Sequence, residues 1–221
     1  MSIYVSRRTA AFTLIELFVV IAIIAILASL LMPALSKGKA HAQSTQCLNN
    51  FRQLGLSTAM FIDDHNNQLP GSEHDGQLWV SALIPYGGTK GVYRCPNDKD
   101  PKHIYSYAAN DFLLPAQGHT HATADFSKVS SIPVPAETLF LTEYADRYTQ
   151  MDHFHFATPE EGGYTPAAFA AQVAVKRHHE TANYLFVEGH VERILWNRVK
   201  PKLSLTGCRF VNPSGHDPLA Q

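Results

Sequence analysis

The 221-residue chain has no excess of either charge, since 18 Lys and Arg stand against 19 Asp and Glu for a formal net charge of −1. Nucleic-acid binding usually shows as a strongly basic face, so this balance gives no electrostatic case for such a partner. Three cysteines are too few for a miniprotein built on disulfides. The sequence contains no Gly-rich phosphate loop, nucleophile elbow, internal repeat, C-x-x-C pair or helical H-x-x-x-H pair. Ser, Cys, His and acidic residues are plentiful, and Glu143, Glu188 and Glu192 fall on or near strand-like runs where two carboxylates could pair. Triples drawn by hand from so many candidates are not evidence of catalysis, so neither an enzyme nor a cofactor is expected. Apolar residues at 45% exclude wholesale disorder.

The apolar residues are unevenly placed. Residues 1–11 hold Arg7 and Arg8 and no acid, and residues 12–32, FTLIELFVVIAIIAILASLLM, contain only Thr13, Glu16 and Ser29 as polar members. As a helix this run is about 30 Å long, the thickness of a bilayer's hydrocarbon core. Three readings compete for it. A cleaved secretory signal has a basic start, an apolar stretch and small residues, and Ala40-His41-Ala42 offers an A-x-A site; Arg7-Arg8 faintly resembles a twin-arginine signal. A plain single-span anchor is the second reading. The third turns on Glu16, because an acid at membrane depth is costly and needs a partner, and a plain signal or anchor has no use for one. A cut just before Phe12 would create an α-amine able to pair with Glu16 of a neighbouring helix.

Ala11-Phe12-Thr13-Leu14-Ile15-Glu16, followed by LFVVIAIIAILASLLMPAL, resembles the leader junction of type IV pilins and type II secretion pseudopilins. The resemblance implies that a prepilin peptidase cuts the Ala11–Phe12 bond, that the new amine of Phe12 is methylated, and that Glu16 is the assembly carboxylate. It implies as partners that peptidase, other pilin or pseudopilin subunits, and the inner membrane. The chain would cross that membrane once, with its N-terminus cytoplasmic and its head periplasmic or extracellular, an orientation that the basic leader favours. Ala11 stands where the family usually has Gly, which implies slower cleavage. Pro33 falls where the family often has a proline that bends the helix; the same residue would otherwise simply break the helix at the membrane exit. The alternative is a membrane-anchored extracytoplasmic binding module that does not polymerise.

Beyond the span, Cys47, Phe51, Leu54, Thr58 and Phe61 recur at intervals of three and four, a single helical face with one polar member. Gly55 weakens that helix by about 1 kcal/mol, and the stop signals at His65–Gly71 end it. A leader at residues 1–11, a transmembrane and stalk helix at 12–67 and a head at 68–221 follow. In the head, Thr138–Thr142, Ala182–Val187 and His190–Leu195 read as strands, the last two joined by Glu188-Gly189 as a hairpin. The expected fold is α+β: a long N-terminal helix, transmembrane in its first half, packed on a loop-rich antiparallel sheet, as in pilins.

Cys47-Leu48-Asn49-Asn50-Phe51-Arg52-Gln53-Leu54-Gly55, Tyr93-Arg94-Cys95-Pro96 and Tyr105-Ser106-Tyr107 resemble the stalk and head signatures of pilin-like proteins abundant in certain environmental bacteria. Arg177-His178 to Glu188-Gly189 resembles their terminal motif of His, nine residues and Asp-Gly, here with Glu188 in place of Asp, so His178, Glu188 and Gly189 are the implied head motif. In an extracytoplasmic head, where disulfides persist, a Cys47–Cys95 bridge is expected, with Cys208 left over. It would close a loop of about 50 residues, worth about 4 kcal/mol in the chain-entropy model; the alternative is two buried free thiols. The pairs His119/His121 and His153/His155 read as solvent-facing loop imidazoles, and His178 as a hydrogen-bonded brace for the hairpin. His178, His179, Glu188 and His190 could also converge there as metal ligands, with calcium the ion by family analogy, but no metal site is expected.

Overall fold

The computed structural model describes residues 13–71, 78–87, 89–113, 125–148, 152–154 and 165–215. The chain divides into two compact units, Met1–Ala42 and Gln43–Gln221. Helix α1, Leu14–Asp64, runs through the boundary and continues through Pro33 without a break. Its start is a capping box. Thr13 Oγ1 accepts from the Glu16 N–H at 3.3 Å, and Glu16 Oε2 accepts from the Thr13 N–H at 2.8 Å, so two donors that a helix start leaves orphaned are satisfied reciprocally. Its end is fixed by Asn66 and Asn67, both left-handed at φ 53° and 64°, a conformation asparagine tolerates better than most residues. The Asn67 N–H donates back to the Ile62 carbonyl at 3.0 Å.

In the second unit, α2 (Trp79–Leu83) precedes β1 (Tyr107–Asn110), β2 (Leu139–Glu143) and β3 (His153–Phe154). Then come α3 (Pro166–Gln172), β4 (Thr181–Phe186), β5 (Val191–Leu195) and α4 (Trp196–Lys202). The strands form one sheet in the order β3-β1-β2-β4-β5. The fold is the expected α+β arrangement, with one difference: the sheet is mixed. The β1–β2, β2–β4 and β4–β5 pairs are antiparallel, whereas β3 runs parallel to β1 through Ala109↔His153 and Asn110↔Phe154. The cause is topological. The chain leaving β2 turns back antiparallel to it but lands beyond β1, which is itself antiparallel to β2.

Both faces of the sheet are covered, and successive residues of a strand alternate between two cores, except at Phe140 and Leu141, which share one core where the register of β2 with β4 shifts. Tyr107, Ala109, Phe140 and Leu185 join Cys47, Phe51, Leu54 and Phe61 of α1. Ala108, Tyr184 and Phe186 join Phe169 of α3 and Val199 of α4. All five stripe positions of α1 are buried, and Thr58 is no exception to the stripe's logic, because its hydroxyl donates to the Leu54 carbonyl at 2.8 Å. Double coverage explains why β4 is buried from Ala182 to Phe186, Asn183 included.

Gly55 sits where α1 meets the turn after β4. A Cβ there would lie 2.9 Å from the Gly189 carbonyl oxygen and 3.0 Å from Leu185 Cδ1, so the glycine that weakens the helix is what permits its approach to the sheet. At an open helical site Gly→Ala stabilises by about 1 kcal/mol. Here Gly55→Ala should destabilise by about 1–3 kcal/mol, the usual cost of overpacking, and lower the Tm of the chain in detergent micelles by several degrees. An unchanged or raised Tm in a calorimetric scan would show that the contact is not tight.

Candidate functional site

The first unit offers one chemical feature and one physical feature. The chemical feature is Glu16 in the first turn of α1. Its Oε2 accepts the Thr13 hydroxyl as well as the Thr13 N–H, both at 2.8 Å. Thr13 thus gives Glu16 a partner within its own chain, and Thr13-x-x-Glu16 is the sequence signature of such a box. Ala11 and Phe12, the expected cleavage and methylation positions, lie outside the described residues. The physical feature is the apolar surface. Every large hydrophobic side chain from Leu14 to Leu35 for which exposure stands out is open to the surroundings, Leu14 at 71% and Leu35 at 73%. The helix is long and apolar enough to cross a membrane.

In the second unit, the structure separates the members of the expected head motif. His178 opens a two-residue turn into β4. Its N–H donates to the Thr181 carbonyl and its carbonyl accepts the Thr181 N–H, at 2.9 and 3.3 Å, with His179 and Glu180 left-handed at φ 53° and 62°. Both central residues at positive φ make this a type I′ turn. Glu188 and Gly189 lie at the other end of β4, about 20 Å along a six-residue strand, so His178, His179, Glu188 and His190 do not converge. Glu188 pairs instead with His190 Nδ1 at 2.8 Å in an exposed turn. Gly189 takes φ +98° and donates to the Phe186 carbonyl at 2.9 Å, the left-handed position that closes the β4–β5 hairpin.

What His178 does meet comes from elsewhere in the chain. Its Nε2 lies 2.9 Å from Glu143 Oε1 and 3.7 Å from Cys95 Sγ. Glu143 Oε1 lies 3.1 Å from Cys47 Sγ, and Oε2 accepts the Asn183 N–H at 3.4 Å. Cys47 and Cys95 are joined as a disulfide with Cα atoms 5.2 Å apart, and Cys208 is the free cysteine. The four residues are buried, and their donor atoms all lie within 4.8 Å of one another. Tyr107 Oη completes the surroundings at 3.4 Å from Cys47 Sγ; burial first, and the Glu143 charge second, push its phenol far up. Glu143 had a weak signal in the sequence, an acid ending the apolar run Leu139-Phe140-Leu141-Thr142.

A second polar cluster adjoins the first through Asn97, whose side-chain amide lies 3.1 Å from His178 Nδ1. Asp98 accepts from His103 Nδ1 at 2.8 Å and lies 3.6 Å from Arg177 Nη1. Arg177 also donates to the Tyr144 carbonyl at 2.9 Å and pairs with Asp146. Asp98, His103 and Arg177 carried no local signal that would have grouped them. A cavity of about 550 Å³ opens beside them, lined by Asn97, Lys99, Asp146, Lys176, Arg177 and Trp196 among others. His153 corrects another expectation: it is buried on β3 and bonded to Asp152, not solvent-facing. His119, His121 and His155 lie outside the described residues.

Residues 6–32 match the family described as the prokaryotic N-terminal methylation motif. The chain carries a prepilin-type N-terminus. That motif and the long apolar helix support a type IV pilin-like or pseudopilin-like precursor and fit a membrane-anchored protein. No curated protein and no solved structure matches the chain.

The Asp98 cluster gives this prepilin-like chain a pH dependence. Burial works to raise the Asp98 pKa, but the Ser106 hydroxyl, Arg177, His103 and the Asp100 amide outweigh it, and the net shift is downward from 3.8. A carboxylate depressed on folding contributes stability that is fully present above its unfolded value and lost as pH falls through the folded one. Asp98→Asn should therefore lower the Tm by several degrees near neutrality, by breaking a buried pair. It should also flatten the decline of Tm below about pH 4. Melting curves for both proteins across that range check this, and parallel curves would remove Asp98 from the acid transition.

Proposed function

We propose that the chain is a subunit of a type IV pilus or a type II secretion pseudopilus. A prepilin peptidase removes residues 1–11, Phe12 becomes the methylated N-terminus, and α1 anchors the subunit in the inner membrane. The N-terminus faces the cytoplasm before processing, and the head lies outside. The role is physical rather than catalytic: helices pack side by side through their apolar residues, and the Phe12 amine of one subunit pairs with Glu16 of another. The observation that carries this reading is the match of residues 6–32 to the methylation motif, with Glu16 held in the first turn of a helix that exposes its apolar residues all along the segment. The cavity of about 550 Å³ favours a second reading, an anchored binding module that stays monomeric.

The capping box permits a sharp test. Glutamine preserves the box, because its side-chain oxygen still accepts the Thr13 N–H, but it removes the charge. In the cells that make the protein, Glu16→Gln should impair assembly about as severely as Glu16→Ala, at least tenfold in cross-linked oligomers, while membrane insertion and cleavage continue. N-terminal sequencing of the membrane-extracted chain should begin at a methylated Phe12. A mature chain beginning at Met1 or Gln43 would refute processing at Phe12, and oligomers unaffected in Glu16→Gln would refute the ionic pairing.

A further inference from the structure

Cys47, Cys95, Glu143 and His178 aim four donor atoms at one buried point. They arrive from four separate stretches: the stripe of α1, the loop after Tyr93, the end of β2 and the turn before β4. A disulfide needs only the two sulfurs and does not account for the carboxylate and the imidazole. In the disulfide, moreover, Cys47 Sγ has no hydrogen to donate, so Glu143 Oε1 at 3.1 Å sets an acceptor against an acceptor. His178 Nε2 at 2.9 Å and the Asn183 N–H compensate the buried Glu143 carboxylate in part, and a cation at the centre would convert the remaining opposition to Cys47 Sγ into ligation.

We propose that, when Cys47 and Cys95 are reduced, these four residues form a closed zinc site with Cys47 Sγ, Cys95 Sγ, Glu143 Oε1 and His178 Nε2 as ligands. Zn–S bonds of about 2.3 Å and Zn–N and Zn–O bonds of about 2.0–2.1 Å imply tetrahedral edges of roughly 3.3–3.8 Å. The His178–Cys95 edge already measures 3.7 Å, while the Cys47–Glu143 and Glu143–His178 edges, at 3.1 and 2.9 Å, fall short of that range and must open slightly, and reduction frees the two sulfurs to separate. The outer contacts are in place. Asn97 faces His178 Nδ1 and holds the ring when its amide oxygen is turned toward it. The Asn183 N–H supports the second Glu143 oxygen. Calcium, the ion family analogy favoured, takes oxygen ligands; two thiolates select a softer ion, and four protein ligands with no open position fit structural zinc. Binding converts two thiols to thiolates and releases two protons. A two-electron oxidant such as diamide reverses it: the thiolates give up two electrons and form the disulfide, the diazene takes those electrons and two protons to become a hydrazine, and the ion leaves.

The test uses the full chain in detergent micelles, reduced with a phosphine and mixed with Zn²⁺ alone, then freed of excess metal and analysed by mass spectrometry. One zinc per chain is expected, released by diamide. Co²⁺ in its place should give the thiolate-to-cobalt charge-transfer band and the intense visible bands of a tetrahedral site. Cys208→Ser should leave both results unchanged, and His178→Gln should weaken zinc binding by about 100-fold or more. The wild-type cobalt spectrum needs no variant to fold. A reduced chain with three reactive thiols that retains no zinc would overturn the proposal, as would a cobalt spectrum without the thiolate band or binding that survives unchanged in Cys95→Ser.

Discussion

From Leu14 to Leu35 helix α1 exposes large apolar side chains, and the first residue it buries is Ser44. Each such side chain left in water forgoes about 1.5–3 kcal/mol of burial, so a helix of this kind is stable only where lipid or other helices replace water. That requirement governs the rest of the chain. It asks for a surface that is apolar all round, and it makes one charged residue in that surface conspicuous. Apart from the Thr13–Glu16 box, the polar clusters among the described residues fall in the unit that begins at Gln43.

The same helix obeys a different rule after that point. Between Ser44 and Phe61 it buries one stripe and leaves Leu56 and Met60 outside, as a helix covering one face of a sheet should. Gly55 shows how tightly that cover is drawn. The weakest helix former between Ser44 and Phe61 is the residue whose Cβ would lie 2.9 Å from a backbone carbonyl of the β4–β5 turn, and Gly189 at that turn needs its own positive φ. Two glycines far apart in sequence thus serve one contact, one by lacking a side chain and the other by its backbone freedom.

Local pattern was enough to find the longer elements and too little to find the short ones or the partners of either. The span is legible from continuous hydrophobicity, the stripe of α1 from its period, and β2, β4 and β5 from apolar or alternating runs. Strand β3 has two residues and no pattern to read, and its parallel pairing follows from where the chain lands. The short helices α2, α3 and α4 lack a full amphipathic repeat. His178 was legible as a buried brace, but its partner was not: the motif's spacing directed attention to Glu188, ten residues on, whereas the strand between them carries the two to opposite ends. Glu143, Cys47 and Cys95 reach His178 only through the register of β2 with β4 and the position of α1, which are tertiary facts.

Glu16 shows how one residue can answer two constraints in turn. The single chain must keep a carboxylate at the edge of an apolar helix, before any neighbour of the proposed assembly could neutralise it. The capping box makes this tolerable, since two Thr13 donors bond Oε2 and the positive end of the helix dipole favours an anion there. These are neutral donors and leave the charge in place. A box that fixes the carboxylate and spares its charge also presents that charge in a set direction, so in the proposed assembly a cationic terminus from another helix would meet an ordered acceptor rather than a freely rotating one. The entropy of ordering the side chain is already lost within the single chain, which would leave more of the proposed ionic interaction available to hold neighbouring helices together.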